Sequence, residues 1–270
     1  MPGPARIAPP PERCAFAVQP LLGVDIAAVT MAHAMALVQQ TIATRGRLQI
    51  GVVNAAKLVN MSRSPDLRRA VLSCDVVFAD GMSVVWASRV LGRPLPERVA
   101  GIDLMDAILA QGSTHGWRVY CLGAEQDVLA SAMAVFARRY PGVQFVGSQH
   151  GYFKAHEEPA IAAAIAAARP DVLLVGMTSP WKEQFIERWS DALQVPVCHG
   201  VGGSFDIAGG KVRRAPEIWQ RAGLEWLYRV LQEPRRLWRR YLVTNVLFTK
   251  MVMAEMTSRF ASRGKGVERA

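Results

Sequence analysis

The stretch Cys74-Asp-Val-Val-Phe-Ala-Asp80-Gly81-Met-Ser-Val-Val-Trp86 decides the fold class of this chain. Residues 76–78 form a short β-branched and aromatic run, which is typical of a buried strand, and Gly81 separates it from the helical spacing of residues 84–91. Asp80 then follows the carboxyl end of a strand. Ligands of open α/β sheets bind outside that end, so we interpret Asp80 as a candidate general base. The alternative is a turn residue that bonds to its own backbone.

Similar apolar runs alternate with helical patterns along the chain. The predicted strands are Gln49–Val53, Val76–Ala79, Arg118–Leu122, Val143–Val146, Asp171–Val175 and Pro196–Gly200, with helices from about Ala55, over 82–91 and over 125–139. This alternation predicts an α/β fold, Rossmann-like, with a mostly parallel sheet of about six strands and helices on both faces.

Composition supports a globular protein, because 270 residues with 51% hydrophobic content can bury a full core. We expect a disordered, proline-rich leader over residues 1–20 and a catalytic α/β domain over residues 21–212. The leader lacks the apolar segment of a signal peptide, and the four cysteines form no C-x-x-C pair, so we expect a cytoplasmic location. The five histidines show no ligand spacing, and we predict neither a metal nor another cofactor.

Residues 213–270 are predicted to form a basic amphipathic helical appendage. They carry 13 Lys and Arg against 5 Asp and Glu, a net charge of +8 out of +10 for the chain. Two helices are expected, over Pro216–Gln232 and Pro234–Phe260, and we expect the α/β domain to fold without the chain after about Gly210. Such a segment suits an anionic partner, either a membrane surface or nucleic acid. It can lie on a membrane without crossing it, because charged residues interrupt its longest apolar run.

Several blocks together resemble the WecG/TagA/CpsF glycosyltransferases from about residue 21 to 241. They are Asn54-Ala-Ala-Lys57, Ala79-Asp80-Gly81-Met-Ser-Val-Val-Trp86, Pro94-Leu-Pro-Glu-Arg98-Val-Ala-Gly101, His150-Gly-Tyr-Phe153, Val201-Gly-Gly-Ser-Phe-Asp206, Arg214-Ala-Pro216 and Gly223-Leu-Glu-Trp-Leu-Tyr-Arg229. The resemblance implies an inverting transfer of a sugar, often N-acetylmannosamine, a relative of it or another hexose, from a UDP donor. The implied acceptor is a polyprenyl-diphosphate-linked sugar at the inner membrane face of a bacterium making cell-surface polysaccharide.

The same resemblance implies roles for individual residues. Asp80 matches the general base, Asn54 matches the asparagine of a Thr-x-Asn element, and Arg98 matches a pocket arginine whose fork suits a diphosphate oxygen. Three appendage arginines are implied to close over the site and neutralise diphosphate, namely Arg229, Arg236 and Arg239. Arg98 has an alternative as a surface residue paired with Glu97.

Two positions depart from the family pattern. Val52 stands where the family has threonine, which removes a hydroxyl contact to substrate. Lys182 stands where the family usually has glutamine, and its cation suits a phosphate or the carboxylate of a uronic-acid donor. Because of these two substitutions, the resemblance does not decide which sugar the donor carries.

Two other function classes compete with this interpretation. The basic appendage, with Trp219, Trp226 and Trp238, suits nucleic-acid binding as well as a membrane interface, and the tryptophans also suit core packing. A nucleotide-dependent oxidoreductase would also use an α/β sheet, but the chain has no G-x-G-x-x-G fingerprint. We expect a UDP-sugar, a lipid-diphosphate acceptor and an anionic membrane as partners, with no nucleic acid and with homo-oligomers left open.

Overall fold

The structure is a computed structural model that describes residues 16–267, with the side chains of residues 16–220, 222–235 and 237–258. Its centre is a six-stranded sheet, formed by β3 Leu48–Val53, β4 Val76–Ala79, β5 Arg118–Gly123, β6 Gln144–Gln149, β7 Val172–Gly176 and β8 Val197–Gly200. Neighbouring strands are all parallel, in the order β4-β3-β8-β7-β5-β6. The predicted α/β fold with six parallel strands is confirmed.

Twelve α-helices connect and cover the strands within the described residues. They are α1 Met31–Thr44, α2 Ala55–Met61, α3 Pro65–Leu72, α4 Met82–Val90, α5 Gly101–His115, α6 Gln126–Arg139, α7 Glu158–Ala168, α8 Trp181–Leu193, α9 Ser204–Ala208, α10 Glu217–Arg221, α11 Glu225–Gln232 and α12 Pro234–Val267, with a 3-10 turn at Ala155–Glu157. Buried residues of α1, α5 and α6 pack on one face of the sheet, while those of α2, α3, α4, α7 and α8 pack on the other. Helices therefore cover both faces, as the sequence pattern predicts.

A β-hairpin that the sequence reading missed precedes the sheet. Strands β1 Val18–Leu21 and β2 Val24–Ala27 pair antiparallel, and Leu21, Val24 and Ile26 are buried beside β4. The predicted boundary of the leader at residue 20 is wrong, because β1 begins at Val18. Residues 1–15 of that leader lie outside the described residues.

The C-terminal segment contains a break that was not predicted. Instead of one helix over Pro216–Gln232, α10 ends at Arg221 and α11 begins at Glu225. Gly223 between them has φ +68°, and a Cβ at this position would lie 2.6 Å from the ring of Trp86 on α4. The chain must turn here to pack on α4, and glycine permits both the turn and the contact. The expected break before Pro234 is confirmed, since α12 starts at that residue.

Helix α12 is built into the core. Phe248 is buried in the cluster that also contains Leu58 of α2 and Val84 of α4, and Leu237 and Thr244 are buried on the same side of the helix. Our expectation that the α/β core is complete before Gly210 does not match this packing. Between residues 16 and 267, no helix combines the length and the apolar character that crossing a bilayer requires.

Candidate active site

Asp80 lies at the carboxyl edge of the sheet, directly after β4, and is partly exposed. Its Oδ1 accepts a hydrogen bond from the backbone N–H of Gly101 at 2.8 Å, and its Oδ2 accepts one from Asn54 Nδ2 at 3.3 Å. Both donors are distant in sequence, so the carboxylate does more than close its own turn. A carboxylate that is fixed by two donors and still open to solvent has the placement that a general base needs.

Asn54 reaches Asp80 because β3 and β4 are neighbouring parallel strands. Val53 pairs with Ala79 at the ends of the two strands, which brings the residue after each strand to one edge. Asn54 is also the N-cap of α2, and its Oδ1 accepts from the N–H of Lys57 at 3.0 Å. The cap fixes the amide oxygen toward the helix and turns the amide nitrogen to Asp80.

A buried group of charges lies beside this edge, between α2 and α8. Glu183 Oε1 accepts from Lys57 Nζ at 2.7 Å and from Ser179 Oγ at 2.7 Å, and Lys182 Nζ lies 3.5 Å from the same oxygen. Lys182 borders the turn after β8, since a Cβ on Gly202 would lie 3.2 Å from its ammonium nitrogen. The group thus brings two cations and one anion to the edge that holds Asp80.

The pKa values of Glu183 and Lys182 are both lowered within this group. Burial opposes the charge of Glu183, but Lys57, Lys182 and the hydrogen bonds lower the pKa of this carboxyl to about 2. Burial and the nearby Lys57 lower the pKa of Lys182 to about 8, against the opposing effects of Glu183 and Asp80. Glu183 is therefore fully ionised near neutral pH, while Lys182 loses its proton within a working pH range.

Val52 faces the apolar core. It is buried, and its methyl groups lie 3.6 and 3.7 Å from the position that a Cβ on Gly101 would occupy. It belongs to the same apolar cluster as Leu104 and Phe78. In this chain the side chain of Val52 therefore packs in the core below the candidate site.

Arg98 joins the segment after β4 to the C-terminal helices. Its guanidinium donates to Glu225 Oε2 at 2.7 Å and to Asp103 Oδ2 at 3.0 Å. Arg214 bonds the second oxygen of Asp103, and its Nε lies 3.7 Å from Glu225 Oε1. The alternative that pairs Arg98 with Glu97 does not match, because Glu97 instead accepts from the N–H of Met31. Two arginines and two carboxylates thus fasten α11 to the start of α5.

The appendage arginines are placed differently from one another. Arg229 on α11 is exposed, and its guanidinium lies 3.8 Å from the position of a Cβ on Gly203, in the turn after β8. Arg239 is exposed on α12, where no described contact joins it to Asp80, Asn54 or Lys182. The side chain of Arg236 lies outside the described part of the chain. The structure therefore brings Asn54, Asp80 and Lys182 to one edge and Arg229 to its border.

Sequence reasoning missed several residues of this region, notably Lys57, Glu183, His199, Asp103 and Glu225. One usable signal was present, because Lys57 shares the apolar face of α2 with Leu58 and Met61, and a buried lysine needs an anion. Among the described side chains, no group of three or more His, Cys, Asp or Glu is arranged to hold a metal ion.

Comparison with known proteins identifies the family. The model of the glycosyl transferase WecG/TagA/CpsF family matches residues 19–262. The chain belongs to this family. It is also 36% identical over 196 residues to the N-acetylglucosaminyldiphosphoundecaprenol N-acetyl-beta-D-mannosaminyltransferase of Bacillus spizizenii, a match that covers 73% of this chain and 75% of that protein.

Membership of the WecG/TagA/CpsF family decides between the function classes that the sequence left open. The protein is an enzyme of the glycosyltransferase class. The structure adds the geometry of the sheet edge at which Asp80 and Asn54 lie, with Lys182 beside the turn after β8.

Proposed function

We propose that the protein transfers a sugar from a UDP donor to a polyprenyl-diphosphate-linked sugar, with inversion at the anomeric carbon. The observation that carries this proposal is the Asp80 carboxylate, which is partly exposed and held by Asn54 and Gly101 at the carboxyl edge of the sheet. The name of the Bacillus relative describes transfer of N-acetylmannosamine to such a lipid-linked acceptor, which supports the same reaction class here.

In this reaction Asp80 takes the proton of the attacking acceptor hydroxyl. The hydroxyl oxygen bonds to the anomeric carbon as the bond to UDP breaks, and attack from the opposite side inverts that carbon. The two hydrogen bonds leave the carboxylate further acceptor positions for the incoming proton. Since those bonds fix its direction, the base is oriented before substrate arrives.

The leaving UDP gains negative charge as its bond breaks, so nearby cations stabilise the transition state more than the bound substrate. Lys182 and Arg229 border the turn after β8. In this proposal Arg229 contacts the diphosphate, and Lys182 contacts the diphosphate or an acidic group of the donor sugar. Arg98 joins them when the diphosphate replaces Glu225 as its partner. Arg236 and Arg239 complete the set that the family resemblance assigns to diphosphate binding.

The donor sugar is an N-acetylmannosamine type, a uronic acid or a hexose. Lys182 favours a donor with an acidic group, because a buried ammonium beside the crevice binds a carboxylate more strongly than a neutral hydroxyl. The competing ligand of Lys182 is Glu183, whose Oε1 already bonds Lys57 at the shorter distance. Of the two lysines, Lys182 therefore makes the weaker contact with Glu183 and is more available to bind the donor.

Because the proposed acceptor is lipid-linked, we expect the enzyme to lie on the inner face of the cytoplasmic membrane as a peripheral protein. The face of α12 opposite Phe248 exposes Trp238, Leu242, Val246 and Met253 at intervals of four and seven residues. Arg235, Arg239 and Arg240 are exposed on the same helix. Exposed apolar rings and chains flanked by basic residues suit an anionic lipid surface.

A donor panel tests the proposal. The purified full chain is incubated with UDP-N-acetylmannosamine, UDP-N-acetylmannosaminuronic acid, UDP-glucose and UDP-N-acetylglucosamine, each with a short-chain lipid-diphosphate acceptor. We expect one donor to give a lipid-linked disaccharide whose anomeric configuration, determined by NMR, is opposite to that of the donor. Retention of configuration, or transfer from a nucleotide sugar other than a UDP-sugar, would contradict it.

A further inference from the structure

His199 on β8 is buried directly beneath the residue that orients Asp80. Its side chain is 0% exposed, and its Nε2 is 2.9 Å from the carbonyl oxygen of Gly101. The N–H of the same Gly101 donates to Asp80 Oδ1 at 2.8 Å. Gly101, at the start of α5, therefore accepts a hydrogen bond from His199 through its carbonyl oxygen and donates one to Asp80 through its N–H.

This contact defines the tautomer of His199. A carbonyl oxygen only accepts hydrogen bonds, so Nε2 carries the hydrogen and Nδ1 is an acceptor. Nδ1 is buried and has no hydrogen-bond partner among the described residues. Burial lowers the pKa of His199 to about 4, with Lys182, Asp80 and Lys57 as the charged groups that act on it. The ring is therefore neutral at working pH.

An imidazole with an unpaired acceptor is an unfavourable choice for the interior of a parallel sheet. Its neighbours along the chain, Val197, Cys198 and Val201, are buried and apolar, and an apolar residue at 199 would avoid the unpaired nitrogen. The bond to Gly101 is the one polar contact that the ring makes within the described part of the chain. The hydrogen bond to Gly101 therefore explains why an imidazole occupies this buried position.

Gly101 matters because it is the first residue of α5, and its N–H has no partner inside the helix. The N-cap residue Ala100 supplies no side-chain bond to that turn. The carboxylate of Asp80 accepts a hydrogen bond from this N–H, at the amino end of a 15-residue helix. Any shift of the first turn of α5 would move or release the base.

We propose that His199 is a positioning residue of the transfer reaction. Through its hydrogen bond to Gly101 it fixes the first turn of α5, so that the carboxylate of Asp80 stays directed at the acceptor hydroxyl. The inference deepens the proposed function and rests on Asp80 as the base.

Two substitutions of similar length separate this role from simple packing. His199→Gln keeps an amide N–H where Nε2 lies, whereas His199→Met fills the space without a donor. We expect His199→Met to lower kcat about 10-fold or more while the donor KM stays within about twofold, because the base is misplaced but the diphosphate contacts remain. We expect His199→Gln to keep most of the wild-type kcat.

Comparison of the two variants supplies a readout that packing damage would not move. Both side chains fill the space of the ring, but only His199→Gln can donate to the carbonyl oxygen of Gly101, so we expect kcat to be lost in His199→Met and kept in His199→Gln. Equal loss in both variants, or a loss in His199→Met that falls on the donor KM instead of kcat, would overturn the proposal.

The wild-type protein provides a test that needs neither variant to fold. Nitrogen-15 NMR of labelled histidine should show one side chain in the neutral tautomer with hydrogen on Nε2 from pH 5.5 to 8. A His199 that titrates in that range, or that carries hydrogen on Nδ1, overturns the inference whatever sugar is transferred. If instead no UDP-sugar is turned over while this tautomer is observed, the proposed function fails and the geometry stands.

Discussion

Asn54 donates from its side-chain amide to Asp80 at 3.3 Å, although 26 residues separate them in sequence. The bond joins the residue after β3 to the residue after β4. It exists because the two strands are parallel neighbours that end at the same level. The bond gives the carboxylate of the candidate base a fixed direction. Substitutions of either residue can therefore test it.

Replacement of Asp80 by asparagine should abolish most of the activity. The side chain keeps its shape but cannot accept the proton, so we expect turnover to fall by about 10² or more while UDP binding persists. Steady-state kinetics and calorimetric titration with UDP measure the two effects. Asp75→Asn is the matched control, since Asp75 flanks the other end of β4 and its bond to the N–H of Gln49 survives in the amide. Near-normal turnover of Asp80→Asn would remove Asp80 from the role of base.

Substitutions of Asn54 should separate its two functions. Asn54→Ser keeps an N-cap oxygen for α2 but loses the donor to Asp80, so we expect a lower kcat with little change in stability. Asn54→Ala loses both contacts and should also lower the free energy of unfolding by about 1 kcal/mol. Urea unfolding and kinetics on the same samples measure this. If Asn54→Ser retained full activity, the bond to Asp80 would have no catalytic role.

Donor binding should depend on the protonation of Lys182. Its pKa of about 8 means that the ammonium is charged below this pH and neutral above it. We therefore expect the affinity for the UDP-sugar to fall as pH rises through about 8. In Lys182→Gln the affinity should be lower and this step absent, whereas Lys250→Gln, at an exposed position of α12, should behave as wild type. A step that survives in Lys182→Gln would assign the titration to another group.

The buried pair of Lys57 and Glu183 should control acid stability. Glu183→Gln leaves Lys57 buried without its anion, and we expect a loss of about 3–5 kcal/mol at pH 7. Because the pKa of Glu183 falls from 4.5 to about 2 on folding, its contribution is present above pH 4.5 and disappears toward pH 2. The difference in free energy of unfolding between wild type and Glu183→Gln, measured by urea unfolding, should therefore narrow as the pH falls from 4.5 toward 2. Glu187→Gln, which removes the partly exposed partner of Arg69, should cost less than about 1 kcal/mol.

The two faces of α12 should respond differently to truncation of a side chain. Phe248→Ala creates a cavity in the core, and we expect a loss of about 3–5 kcal/mol with unchanged affinity for anionic vesicles at temperatures where it is folded. Leu242→Ala, at a side chain that is 56% exposed, should leave stability within about 0.5 kcal/mol and weaken vesicle binding. Vesicle flotation and thermal unfolding measure the pair. Equal vesicle binding by Leu242→Ala and wild type would argue against this membrane-facing surface.

The six central strands could be predicted from sequence because each is a short apolar run beside a helical pattern, and local pattern decides such elements. The hairpin Val18–Ala27 could not, because Pro20 and the proline-rich residues before it resemble a leader. The break at Gly223 was missed for a different reason. It depends on contact with Trp86, which is 137 residues earlier and invisible to local periodicity.

The placement of the candidate site residues was predictable only where a polar residue type coincides with a strand end. Asp80 and Asn54 satisfy that condition, and family resemblance added Lys182. The ion pair of Lys57 and Glu183 spans 126 residues, and the contact of His199 with Gly101 spans 98, so no spacing rule reaches them. Arg98 was predicted as a phosphate ligand, but its bonds to Glu225 and Asp103 depend on how α11 docks.

The turn of the β1–β2 hairpin is tied to α12 by a contact that spans 233 residues, in which the N–H of Leu22 donates to Glu255 at 2.8 Å. Glu255 also pairs with Arg93, which follows α4. During synthesis, residues near the start of the chain leave the ribosome long before α12 is made. The hairpin and the helices that α12 covers therefore expose apolar surface until the part of α12 around Glu255 has left the ribosome. Nascent chains stalled before that residue should bind chaperones more than chains released after it.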